Sequence, residues 1–190
     1  MSTRHPPSAP TRTSLHDAAL RHVARYATTE AGLLRVLERR IARWARTAPD
    51  GSESVISTAH ASARDVVARL VAAGAVSDSA FAASRARSLI RAGKSRRAVA
   101  AHLAARGVDS DITRAALPED PASELAAALL QTRRRRIGPF RVASEIDAPG
   151  RLKELAALAR AGFAQDIARR ALATPRAEAE EILIRARVDS

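Results

Sequence analysis

The sequence contains no cysteine and very few aromatic residues among its 190 positions. The absence of cysteine excludes disulfide frameworks, thiolate zinc sites and cysteine nucleophiles. One Trp, one Tyr and three Phe are too few for a row of base-stacking platforms of the kind that many single-strand binders use. No apolar run approaches the ~20 residues that a membrane span requires. Because residues 1–13 also lack the apolar core of a secretory signal, we expect a disordered N-terminal tail and a cytoplasmic protein without membrane contact.

Alanine and arginine dominate the residues that are present. The chain has 45 alanines, and 30 of its 32 basic side chains are arginine. Both residues favour helix, whereas the β-branched and aromatic residues that favour strands are scarce. The composition therefore predicts an all-α protein. Since alanine buries little area, we expect a thin and extended core.

A short pattern recurs three times along the chain. A leucine precedes a glycine by four positions, an apolar residue follows the glycine, and an aspartate stands four positions after it, at Leu70–Gly74, Leu103–Gly107 and Leu158–Gly162. The pattern predicts a helix that ends at a glycine cap and a new helix directly after it. Such units cannot bury their apolar faces alone, so we predict an elongated array of tandem three-helix repeats.

Turn and capping residues place the boundaries of this array. Ser14 is the predicted first helix cap, and Asp120 with Pro121 predicts the start of a later helix. We assign residues 1–13 to the tail, 14–73 to the first repeat with a loop at about 47–58, 74–118 to the second repeat, 119–174 to the third, and 175–190 to a C-terminal helix and tail.

Nothing in the sequence points to catalysis. The five histidines are scattered and have no metal-ligand spacing. Gly93-Lys94-Ser95 matches the end of a phosphate-binding loop, but Ser88 stands where that motif requires its first glycine. A glycine that ends one helix and a serine that caps the next explain the triplet. We therefore predict no catalytic residue, no metal, no cofactor and no enzymatic activity.

The charge balance is strongly basic and is concentrated in the middle of the chain. The formal net charge is +12, which favours a polyanionic partner. No acidic residue occurs from Ser79 to Val108, and this stretch holds the candidate binding residues Arg85, Arg87, Arg91, Lys94, Arg96 and Arg97. Arg96 and Arg97 stand in the first turn of a predicted helix, where the dipole disfavours cations by about 0.3–1 kcal/mol. Cations beside free helix N–H groups form an anion site, so this unfavourable placement suggests function.

A second basic cluster contains Arg133, Arg134, Arg135, Arg136 and Arg141, of which we take the first four as candidate binding residues. These four candidates form the C-terminal end of a predicted helix, where the dipole favours cations, so local stability also accounts for them. For both clusters the alternative interpretation is a solvated basic face without a partner.

Residues 70–117 resemble the RecX family in the order and spacing of their motifs. The matching stretches are Gly74 to Ala82 (GAVSDSAFA), Gly93 to Arg97 (GKSRR) and Leu103 to Val108 (LAARGV), with Ile112 and Leu117 after them. Leu158 to Leu172 is similar to the last repeat of that family. Ala75 stands where the family usually has an aromatic residue, and Ser77 replaces one of its paired acids.

The resemblance implies a regulator of homologous recombination, DNA repair and the SOS response. RecX-like proteins bind the RecA recombinase as its filament on single-stranded DNA, lie in the filament groove, and restrain ATPase, extension and strand exchange. It thus implies a RecA filament partner, a weak and sequence-independent contact with DNA, and a monomeric, non-catalytic protein. We expect inhibition, although the sequence does not distinguish inhibition from stimulation. The alternative is a sequence-independent basic helical protein that acts directly on duplex or single-stranded DNA.

Overall fold

The computed structural model describes residues 8–47, 53–117, 119–142 and 146–188 and contains no strand within these ranges. The all-α class predicted from composition is confirmed. The helices of the described ranges are α1 (Arg12–Val23), α2 (Glu30–Ala45), α3 (Glu53–Ala72), α4 (Asp78–Arg91), α5 (Arg96–Ala105), α6 (Ser110–Ala116), α7 (Pro121–Arg135), α8 (Ala148–Arg160), α9 (Gln165–Ala173) and α10 (Arg176–Val188), with a 3-10 helix at Gly138–Phe140.

The helices form two compact units. The first unit contains the described residues up to Phe81 together with Arg106–Val108, and the second contains Ala82–Ala105 and the described residues from Asp109 onward. In the first unit α1, α2 and α3 pack against one another. Leu15, Leu33, Leu37 and Ile41 are fully buried there, at the 3.6-residue spacing of amphipathic helices.

The second unit is built around α7. Residues 125–129 of α7 are all buried, so this part of the helix has neighbours on several sides. α9, α10 and the 3-10 helix pack against it, and α8 packs against α9. Leu129, Leu158 and Phe163 are central members of the resulting core. α7 is therefore the element that positions the surrounding helices.

The glycines of the repeated pattern end helices, as predicted. Gly74, Gly107 and Gly162 follow the last residues of α3, α5 and α8 and adopt φ values of 72°, 85° and 90°. At Gly162 a Cβ atom would lie 2.6 Å from the hydroxyl oxygen of Ser95. Only glycine satisfies both the left-handed backbone and the close approach at this position.

Two helices begin earlier than the sequence predicts. Thr11 rather than Ser14 caps α1, because its hydroxyl accepts the backbone N–H of Ser14 at 3.2 Å. α3 begins at Glu53, so the second half of the predicted loop at 47–58 is helical, and residues 48–52 lie outside the described residues. Ile56 packs against the core of the first unit and stabilises this turn despite the nearby serines. The assignment of the chain to three repeats with the stated boundaries stays a prediction.

Candidate functional site: an arginine-lined cleft

The C-terminal end of α4 is fastened to α7 by two side chains of α7. Arg134 donates an Nη1 hydrogen bond to the carbonyl of Ala92 at 2.6 Å, and Gln131 donates from Nε2 to the carbonyl of Gly93 at 2.8 Å. These carbonyls are left without intrahelical partners where α4 ends, so α7 supplies the missing donors. The contact brings part of the middle basic cluster next to part of the 133–136 cluster.

The two clusters meet in a cleft formed by α4, α7 and α10, which we call the arginine cleft. Its volume is about 370 Å³. Four arginines, Arg91, Arg133, Arg134 and Arg187, line it together with the aliphatic residues Ile90, Leu130 and Leu183. No carboxylate is found among the described residues that line this cleft. The arrangement suits a ligand that is acidic at its edges and apolar where it enters the cleft.

Arg96 does not line the arginine cleft. The prediction of an open anion site at the start of α5 is wrong. The backbone N–H of Arg96 donates to both carboxylate oxygens of Glu124, at 3.2 and 3.0 Å, and its guanidinium group pairs with Glu119 at 3.4 Å. The chain's own carboxylate therefore occupies the place expected for an external anion. It also offsets the unfavourable charge of Arg96 at the positive end of the helix dipole.

The position of Glu124 carries a desolvation cost. Burial raises the pKa of Glu124 above its usual value, while the hydrogen bond from the Arg96 backbone and the charge of Arg96 act in the opposite direction. The buried Ser95 hydroxyl accepts the N–H of Ala98 at 3.2 Å and donates to the carbonyl of Ala161 at 2.7 Å. Ser95 thus caps α5, as the structural interpretation of the Gly93-Lys94-Ser95 triplet predicts.

The remaining predicted residues are distributed over other surfaces. Arg85 donates from Nε to His102 Nε2 at 3.2 Å and joins α4 to α5. Arg136 adopts a left-handed conformation, with φ of 55°, as the C-cap of α7. The other candidates are exposed and lie outside the arginine cleft, and their side chains form no hydrogen bonds with one another. They are Arg87, Lys94, Arg97 and Arg135. A binding role for these residues stays a prediction.

A buried ion pair next to the cluster holds the end of α7 in place. Glu154 accepts hydrogen bonds from Arg141 at 2.9 Å (Nε) and 2.6 Å (Nη2) and from the backbone N–H of Gly138 at 3.2 Å. The hydrogen bond to Glu154 is the main cause of a raised pKa at Arg141, so this guanidinium is firmly charged. The pair fixes the turn through which the chain leaves the 133–136 cluster.

Sequence reasoning missed Arg187. It lies in α10, more than fifty residues beyond the second cluster, and only the packing of α10 on α7 brings it to the cleft. The single available signal was its spacing of four from Leu183, which places both on one face of a helix. In the described part of the chain no group of three His, Asp or Glu side chains is arranged to hold a metal ion. The described helices include none with the length and apolarity of a membrane span.

Comparison with known proteins agrees with the resemblance seen in the sequence. The family model described as RecX, second three-helix domain, matches residues 77–117. Regulatory protein RecX of Myxococcus xanthus (strain DK1622) is 38% identical over 162 residues, which cover 84% of each chain. Regulatory protein RecX of Agrobacterium fabrum is 39% identical over 109 residues, 57% of this chain and 58% of the relative. The Mycobacterium leprae protein of the same name is 43% identical over 110 residues, 56% of this chain and 61% of the relative.

Solved structures show the same fold. The crystal structure of RecX from Lactobacillus salivarius superposes with a TM-score of 0.62 at 17% identity and covers 85% of this chain and 94% of that chain. A second crystal structure of regulatory protein RecX gives a TM-score of 0.61 at 19% identity, covering 82% and 68% of the two chains. The fold therefore defines an all-α protein of the three-helix-repeat class. With the extended match to the Myxococcus relative, the chain belongs to the RecX family of regulatory proteins.

Proposed function

We propose that this protein regulates the RecA recombinase, and that it does so as an inhibitor. It binds in the groove of the RecA filament on single-stranded DNA and lowers ATPase activity, filament extension and strand exchange during recombination and repair. It acts in the cytoplasm as a monomer and contributes no catalytic group of its own. Membership of the RecX family supports the regulatory role.

The arginine cleft is the observation that carries the proposed contact. Its four guanidinium groups surround aliphatic side chains, and no aromatic residue is among those that line it. Nucleic-acid bases bind sequence-independently by stacking on aromatic rings, so this cleft offers them little. A protein segment with carboxylates beside an apolar side chain matches both features of the cleft. We assign the cleft to an acidic surface of the recombinase.

The expected contribution of the cleft follows from three of its arginines, whose guanidinium groups donate no hydrogen bond to a described residue. Arg91, Arg133 and Arg187 differ in this respect from Arg134, which also supports the end of α4. Each contact with a carboxylate is worth about 0.5–1 kcal/mol at a partly exposed site. Three together give about 1.5–3 kcal/mol, or roughly 10- to 150-fold in affinity.

The experiment compares two triple variants in the second unit. Arg91→Ala, Arg133→Ala and Arg187→Ala are combined in the cleft variant, and the exposed Arg151→Ala, Arg160→Ala and Arg170→Ala form a control with the same loss of charge. Binding to RecA filaments on single-stranded DNA is measured by fluorescence anisotropy of the labelled protein. The affinity of the cleft variant should fall roughly 10- to 150-fold, and the loss of affinity in the control should be severalfold smaller. If the cleft variant binds with wild-type affinity, the cleft is not part of the interface with the recombinase.

Direct binding to DNA is the second candidate function. The excess of basic side chains supports it, because phosphate contacts give sequence-independent affinity that falls steeply with salt. Comparing DNA affinity with and without recombinase separates the two functions. A filament regulator binds free DNA weakly, whereas a direct DNA-binding protein reaches its full affinity without the recombinase.

A further inference from the structure

A row of arginines follows the exposed face of α2 in the first unit. Arg35, Arg39, Arg43 and Arg46 are all exposed, and we call them the α2 ladder. At about 100° per residue they lie within an arc of about 80°. Leu33, Leu37 and Ile41 form the buried face on the opposite side of the helix. The ladder therefore projects away from the core of its unit.

The ladder differs from many other exposed arginines of the chain because its members form no ion pair with a carboxylate in the described ranges. Arg69, Arg114, Arg176 and Arg185 each form an ion pair with an acid three or four residues away on the same helix. Arg39, Arg43 and Arg46 form no ion pair within the described ranges, although Glu38 lies on the same helix. Arg35 donates to the carbonyl of Arg106 at 3.0 Å, which fixes one end of the row.

Local helix stability does not account for this arrangement. Arg43 and Arg46 are near the C-terminal end of α2, where the dipole favours them, but Arg35 and Arg39 lie in the first two-thirds of the helix. Like charges four residues apart destabilise a helix by about 0.2–0.5 kcal/mol per pair, and Arg35, Arg39 and Arg43 form two such pairs. An extended anion along the helix would convert this repulsion into attraction.

We propose that the α2 ladder binds the phosphodiester backbone of DNA without reading its sequence. Its members rise along the helix in steps of about 6 Å and span about 16 Å. The row of positive charges can therefore lie alongside the row of phosphates of a DNA strand. Guanidinium groups bind phosphate oxygens in bidentate geometry, and these contacts carry no sequence information. Ala42, which is exposed at the edge of this face, has no group for base recognition. The ladder binds DNA in the absence of the recombinase, so the proposal rests on the second candidate function, direct DNA binding, and not on the contact between the arginine cleft and the recombinase.

The test measures the salt dependence of DNA binding by the full chain alone. A labelled oligothymidine and a labelled duplex of mixed sequence are titrated over a range of salt concentrations. The ladder variant combines Arg39→Ala, Arg43→Ala and Arg46→Ala. If each arginine contacts a phosphate, the slope of log K against log salt decreases by about 2 on single strands or by about 2.7 on duplex. Affinity at low salt falls by about tenfold to hundredfold, and the DNA form with the larger loss is the preferred ligand.

Two controls separate the ladder from net charge and from folding. Arg69→Ala, Arg114→Ala and Arg185→Ala remove three arginines that are already paired, so the wild-type slope should persist. Replacing the three ladder residues by lysine keeps their charge and should keep the slope within about one unit. An unchanged slope in the ladder variant, or an equal loss in the paired-arginine control, would overturn the proposal.

Discussion

Replacing Arg141 by alanine should destabilise the second unit far more than the loss of an exposed arginine. Arg141 makes two of the three hydrogen bonds that the Glu154 carboxylate accepts, and Gly138 makes the third. The Glu154 side chain is only 10% exposed. The variant therefore leaves a nearly buried negative charge with a single backbone donor.

The expected loss is about 3 kcal/mol, at the lower end of the range for breaking a buried ion pair by removing one partner. The lower end applies because the Arg141 side chain is 22% exposed, so water reaches the vacated space. An exposed pair such as Arg185 with Glu181 contributes less than about 1 kcal/mol. Replacing both Arg141 and Glu154 by leucine should recover only part of the loss, because neither charge is then desolvated but the buried N–H of Gly138 loses its acceptor.

Urea unfolding followed by far-UV circular dichroism measures these differences. Arg141→Ala should lower the free energy of unfolding by about 3 kcal/mol, which corresponds to a fall in Tm of about 10 °C. Arg185→Ala is the control at an exposed pair. A loss below about 1 kcal/mol at Arg141 would show that the pair behaves as a surface contact and would refute the reasoning.

Two further predictions concern the packing around Ser95 and the start of α5. In urea unfolding, Gly162→Ala should lower the free energy of unfolding more than Gly74→Ala. Both glycines have a positive φ, but at Gly162 the added Cβ would also lie close to the Ser95 hydroxyl oxygen. Equal losses in the two variants would contradict this reasoning. Glu124 has a raised pKa in the folded state, so its contribution to stability is largest below its ordinary value of 4.5 and decreases as pH rises through the folded pKa. Glu124→Gln should remove that decrease in unfolding experiments between acid and neutral pH, and identical pH profiles would count against a raised pKa.

Local patterns predicted the helices because their caps involve neighbouring residues. Asp120 accepts the N–H groups of Ala122 and Ser123, and Pro121 begins α7, as the sequence indicated. The Leu-x-x-x-Gly pattern located three helix ends for the same reason, since the bonds that close each turn span only a few residues. At Glu53 the same approach failed, because tertiary packing of Ile56 outweighed the loop preference of the surrounding serines.

The candidate site was less predictable because it depends on contacts between distant residues. Glu124 lies 28 residues from Arg96, and its occupation of the α5 start reversed the prediction of an open anion site. Arg91 and Arg133 were predicted in separate clusters, and α7 packing brings them to one cleft with Arg187. Charge runs in a sequence show where arginines are abundant, but the fold determines which of them share a surface and which are neutralised.

The most direct test of the proposed regulation is the ATPase activity of RecA on single-stranded DNA during titration with this protein. Wild-type protein should lower the steady-state ATPase rate with saturation, and the cleft variant should require roughly 10- to 150-fold more protein for the same effect. The control variant with Arg151, Arg160 and Arg170 replaced should behave much like wild type. An unchanged ATPase rate and filament lifetime at saturating wild-type protein would contradict the account.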